Sequence, residues 1–153
     1  MGSGLRKVMA VASGGGHWVE LRRIMPAFEG CDTIWVSTET APDADLAPAR
    51  YYAITNVTRR DRLSFLRTLS ELVVILRRER PEVVVSTGAA PGMLAITLAK
   101  LLCRSRTVWI DTVAHTEGMT LSGRLVRPMA DAWLVQWPHL AKPGGPDYWG
   151  SVL

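Results

Sequence analysis

Cysteine is scarce: Cys31 and Cys103 are the only two in 153 residues. Two isolated cysteines build no disulfide framework and match no zinc-ligand spacing, so a reducing, cytosolic setting is the default expectation. Long apolar runs are missing too. Only Val8 to Ala12 separates the short basic lead-in from a run of glycines, and the greasiest stretch, Leu63 to Leu76, is broken by Arg67 and Glu71. Neither reads as a signal peptide or a membrane span, so contact with a membrane is expected to be peripheral or through a partner. No Gly-Lys-Ser/Thr closes the glycine-rich loop, which excludes a Walker A phosphate loop. Nor does a third glycine complete a dinucleotide fingerprint, since Val19 stands there, and Ser37 and Thr38 occupy the place of a ribose-binding acid.

Apolar residues make up 48% of the chain and charged residues 21%, a globular balance large enough for one domain with a core. The net charge is +4, from 18 basic against 14 acidic residues, with arginine far outnumbering lysine. Modest basicity suits anionic partners such as phospholipid headgroups and diphosphates. No nucleic-acid-binding motif accompanies it, and no nucleic-acid partner is expected.

Strands and helices alternate. Lys7 to Ala12, Thr33 to Ser37, Tyr51 to Ile54, Val83 to Ser86, Thr107 to Ile110 and Trp133 to Gln136 read as strands. Helices are expected over His17 to Phe28, bent or ended early by Pro26, and over Arg60 to Arg80, Met93 to Leu102 and Ser122 to Met129. Pro138 to Leu153 reads as an irregular, proline-stiffened tail. Apolar strands without alternation, separated by helices, predict an α/β fold: a mostly parallel sheet covered on both faces, with ligands at the carboxyl ends of the strands.

Three loops fall at those ends. Ser13, Gly14, Gly15 and Gly16 follow the first strand and open a helix. Glycines admit positive φ and bare backbone, and a helix start presents free N–H groups, so the loop suits a phosphate or diphosphate; a plain structural turn is the alternative. His17 at its mouth can donate to a phosphate oxygen, take a proton from an attacking hydroxyl, or simply pack. Glu20 can hold His17 in one tautomer or favour the helix start by its charge. Thr87 and Gly88 begin the second small-residue turn, Ser86 to Gly92, which leaves room for a ligand or a neighbouring helix. Asp111, His115 and Glu117 share the third loop. Their spacing is no metal signature and no metal is expected; a carboxylate beside a sugar or hydroxyl acceptor fits better.

Arg59, Arg60, Arg62 and Arg67 are interleaved with more leucines than one core-facing stripe needs, which points to an anionic lipid surface, with a buried crossover helix and solvated arginines as the other reading. Trp137, Tyr148, Trp149, Val152 and Leu153 crowd the end of the chain and read as a docking surface.

The order of motifs resembles the Alg14 oligosaccharide-biosynthesis family, including its bacterial capsule and exopolysaccharide relatives of the PssD and CpsF type. The resemblance spans nearly the whole chain: Ala12 to His17 with Glu20-Leu21, Val85 to Gly92, Ile110 to Thr112, Leu121 to Leu125, Ala130-Asp131, Val135 to Pro138 and Tyr148 to Gly150. It implies a single domain over residues 1–153, like the N-terminal, acceptor-side domain of a split GT-B glycosyltransferase, with 138–153 as a docking tail. An Alg13-like subunit would supply most of the UDP-sugar site. The acceptor would be a sugar on a polyprenyl diphosphate at the cytoplasmic face of the inner membrane, bound near Gly14 to His17. No cofactor is implied. His17 or Asp111 would act as base. The chain departs from the family pattern in its extra glycine and in carrying Asp111 and His115 where Glu and Arg are usual. Two other classes remain beside this one: a non-catalytic membrane recruiter of a catalytic partner, and a stand-alone nucleotide-binding oxidoreductase.

Overall fold

Short apolar runs leave the central strands buried on both faces, and a sheet flanked by two helical layers satisfies that. The computed structural model describes residues 4–40, 46, 50–58 and 60–152; Arg59, Leu153 and most of the stretch between Glu39 and Arg50 lie outside the described residues. The strands are β1 (Lys7–Ala12), β2 (Asp32–Ser37), β3 (Arg50–Ala53), β4 (Val83–Ser86), β5 (Arg106–Ile110), β6 (Ala132–Val135) and β7 (Asp147–Tyr148). The helices are α1 (Gly16–Arg23), α2 (Arg62–Glu79), α3 (Ala89–Leu98) and α4 (Leu121–Val126). All seven strands form one parallel sheet in the order β3-β2-β1-β4-β5-β6-β7.

Successive strand residues point to opposite faces. Met9, Val11, Ile34, Val36 and Val84 meet Leu72 and Leu76 of α2, Ile96 of α3 and Val126 of α4. Val8, Ala10, Ala12 and Val85 face the other way, against Trp18 and Leu21 of α1. On that side Trp35 takes Trp18 and Phe28 edge-on, each at 5.8 Å between ring centroids, a geometry aromatic quadrupoles favour. Near the amino ends of the strands, Arg50 donates to both Asp32 (2.6 Å) and the buried Glu79 (2.5 Å), which ties β3 to β2 and α2.

Three expectations need correction. α3 starts at Ala89 and not at Met93, so Ala89 to Gly92 are its first turn and only Thr87 and Gly88 remain as the turn. Gly88, at φ 138, makes that bend, and Pro91 falls where helical N–H groups have no partner anyway. α1 ends at Arg23, ahead of a separate 3-10 turn, Met25–Phe28, that carries Pro26. The tail is not wholly irregular. A turn closed by Gly145 N–H to the Lys142 carbonyl (2.9 Å) brings Asp147 and Tyr148 alongside Leu134 and Val135 as β7.

Candidate functional site

Strand order sets the location of the site. β2 lies on one side of β1 and β4 on the other, so the loops leaving β1 and β4 diverge and open a crevice at their carboxyl ends. The Ser13–Gly16 loop and the Thr87–Gly88 turn meet there.

His17 joins them. Its Nδ1 lies 3.1 Å from the Thr87 carbonyl oxygen, and the Thr87 hydroxyl donates to the His17 carbonyl at 2.6 Å. A carbonyl only accepts, so Nδ1 carries the proton and the neutral ring keeps its lone pair on Nε2. Gly88 permits this arrangement: a β-carbon at position 88 would stand 2.5 Å from Nδ1. Glu20 does not hold the His17 tautomer by a direct hydrogen bond, as the sequence had allowed; the Thr87 carbonyl does. Its carboxylate is buried beneath the loop layer and accepts from Thr112 Oγ1 (2.7 Å) and Gln136 Nε2 (2.8 Å).

The glycine loop holds an anion of its own. Gly15, at φ 70, opens α1 with no side-chain cap. The N–H of Gly15 donates to Glu39 Oε1 (3.0 Å) and that of Gly14 to Thr38 Oγ1 (2.8 Å). A β-carbon on Gly14 would come 2.2 Å from the same Glu39 oxygen. The cradle therefore favours negative charge, and in this state a carboxylate from the end of β2 touches it.

Asp111 is buried, with little of it open to the crevice. It is 2% exposed, and both oxygens are committed. Oδ1 accepts from Trp109 Nε1 (3.1 Å) and Thr120 Oγ1 (2.6 Å), Oδ2 from the Thr120 N–H (2.8 Å). It fastens the third loop to the start of α4, where Thr120 also caps Gly123 N–H at 2.9 Å. The acidic loop does not converge either: His115 and Glu117 are exposed, away from the buried Asp111. Among the described residues no group of three His, Cys, Asp or Glu side chains is placed to hold a metal. His115 and Glu117 line an open cavity of about 440 Å³ with Arg124; Glu117 and Arg124 also border a second, of about 460 Å³, reaching Trp133 and Lys142.

Arg60, Arg62 and Arg67 are exposed at the start of α2, beside exposed Leu63 and Leu66; Arg59 lies outside the described residues. No helix among the described residues is long and apolar enough to cross a membrane. Of the docking candidates, Tyr148 and Trp149 are exposed, the latter at 71%. Trp137 instead packs inward and donates from Nε1 to the Val113 carbonyl (2.8 Å), and Val152 is half-buried against the domain; Leu153 lies outside the described residues. Thr38, Glu39, Thr120 and Gln136 also bond to the candidate site residues, and reading the sequence gave none of them a role there. Thr120 alone carried a local signal, an N-cap residue ahead of an apolar helix; the others act across the fold.

Residues 53–152 match the family described as oligosaccharide biosynthesis protein Alg14 like. The UDP-N-acetylglucosamine transferase subunit ALG14 of Eremothecium gossypii is 38% identical over 103 residues, 59% of this chain and 45% of that protein. The Candida albicans protein of the same name is 25% identical over 91% of this chain and 74% of its own length. Among solved structures, Acinetobacter baumannii MurG superposes with a TM-score of 0.71 at 14% identity, over 94% of this chain and 45% of MurG. A UDP-N-acetylglucosamine 2-epimerase from Rickettsia bellii gives 0.71 at 12%, over 97% and 45%. At such identity the likeness carries the fold, the GT-B type of parallel sheet. The chain thus spans under half of the Eremothecium subunit and of these two solved chains. With motifs, sheet order and the matched residues in agreement, the chain belongs to the Alg14 family.

Proposed function

We propose that this chain is the acceptor-side subunit of a two-component glycosyltransferase that moves a sugar from a UDP-sugar to a lipid-linked, polyprenyl-diphosphate acceptor, with an Alg13-like partner supplying most of the donor site. The fixed tautomer of His17 at the mouth of the crevice carries this reading. Its bare Nε2 takes the proton of the acceptor hydroxyl as that oxygen bonds to the anomeric carbon. The bond from that carbon to the UDP oxygen breaks, and UDP departs with the electron pair. The glycine cradle and the N–H groups opening α1 favour the acceptor's diphosphate. Glu39 must then yield to it. Asp111 serves by holding the third loop. Exposed leucines and arginines at the start of α2 support peripheral contact with an anionic membrane, and Tyr148 and Trp149 offer the partner a contact. The relatives' name, transferase subunit, agrees with a chain that works only in company.

The test is reconstitution. The purified chain alone is expected to transfer no sugar, and the pair with a lipid-linked acceptor to turn over. His17→Ala in the pair should lower kcat by about tenfold or more, the usual worth of a positioned base. Robust transfer by the lone chain defeats the two-component reading, and an unchanged chemical step in His17→Ala moves the base elsewhere.

A further inference from the structure

Gln136, just past β6, is 2% exposed, and its side chain serves three partners. Nε2 donates to Glu20 Oε2 (2.8 Å) and to the Asp111 carbonyl (2.9 Å); Oε1 accepts from the Val152 N–H (3.0 Å). The partners fix the amide's orientation, because turning it over would set oxygen against two acceptors and N–H against a donor. Glu20, 6% exposed, completes the link by accepting from Thr112. Val152 is gripped a second time where its carbonyl accepts from Arg23 Nη1 (2.6 Å), at the last residue of α1. One buried amide thus joins α1, the end of β5 and the C-terminal strap.

α1 has only eight residues, and Glu20 lies three positions after His17 on it. A helix that short moves as a body, so whatever seats Glu20 sets the height and rotation of the imidazole above Thr87. We propose that Gln136 is a positioning residue for His17, acting through Glu20, and that it holds the imidazole in register only while the strap around Val152 is seated. A partner that engages the adjacent Tyr148–Trp149 surface is then felt at the proposed base. This rests on the reading of His17 given above, but its test does not.

The experiment uses the full chain without its partner. Its three histidines make the His17 ring assignable by NMR with the aid of single histidine variants. Two proteins are compared with wild type: Gln136→Leu and a chain ending at Gly150. Gln136→Leu and the shortened chain should speed exchange of the His17 Nδ1 proton by about tenfold or more, while backbone amides of β1, β2 and β4 keep their protection. Should Gln136→Leu fail to fold, the shortened chain, whose buried pair is intact, decides. An unaltered His17 proton in the shortened chain overturns the proposal. So does a folded Gln136→Leu protein whose His17 proton exchanges as slowly as in wild type. Whether the imidazole acts as base is decided separately, by turnover of His17→Ala.

Discussion

Gly14 and Gly15 lie against a carboxylate supplied by the chain itself. If the cradle receives a diphosphate, Glu39 competes with it, and Glu39→Gln should strengthen binding of inorganic diphosphate to the isolated chain by several-fold, with the acceptor geometry at Gly15 kept by the amide oxygen. Gly15→Val should do the reverse, because a β-branched residue resists φ 70 by about 1–2 kcal/mol. Calorimetric titration reads both; equal affinity in all three proteins removes the cradle from the mechanism. Asp131 gives a prediction in pH. Partial burial pushes its carboxyl up, but the Lys100 ammonium and the N–H and hydroxyl of Thr107 outweigh that and hold it below the ordinary range. Depressed in the folded state, it adds stability above the unfolded value and loses it as pH falls through the folded one. The pair is well exposed, so its ionic part is worth about 1 kcal/mol or less. Melting temperatures of wild type and Asp131→Asn should differ near pH 7, and the gap should start to close only as the pH falls below about 4. An undiminished gap in acid would show that Asp131 acts through packing.

At the scale of elements, most of the architecture was legible because hydrophobic period and stop signals agree. β1 and β4 occupy the residues their apolar runs mark, and α2 ends where Arg80, at φ 47, and Pro81 follow. The misses have local causes. Ala89 to Gly92 looked like a loop, yet small residues there let α3 close on β4: a β-carbon at Gly92 would meet Ser86 Oγ at 2.0 Å. β7 has two residues and no periodicity, so tertiary pairing alone defines it. In the site, His17 was visible through its place after the glycines, whereas its true orienter, the Thr87 carbonyl, is backbone and leaves no mark in the sequence. The donors that occupy both oxygens of Asp111 left no mark either, because side-chain identity says nothing of how many donors surround a carboxylate. α2 carries a prediction of its own. With Leu63 at 69% exposure beside Arg60, Arg62 and Arg67, replacing the three arginines by serine should weaken binding to anionic vesicles by at least about tenfold, at about 1 kcal/mol for each basic residue. Added salt should weaken the wild type likewise. Binding that ignores both changes would leave recruitment to the partner.

For the molecule as a whole, the proposed pairing should register first at Trp149. Large exposed aromatics supply much of the energy at interfaces, so Trp149→Ala should weaken the assembled pair by about tenfold or more while leaving the melting temperature of the isolated chain in place. Unchanged affinity moves the interface away from β7. The sheet order also bears on how the chain is made. β1 is made before β4 yet lies inside the sheet, and Glu82, whose N–H donates to the Lys7 carbonyl beside β4, comes 75 residues later. At about 5–20 residues per second, a ribosome leaves that edge bare for on the order of ten seconds. During that interval the nascent chain offers a greasy, unpaired strand to chaperones and to its neighbours on the same message. Yield in a cell should then fall when synonymous slow codons are placed between β1 and β4.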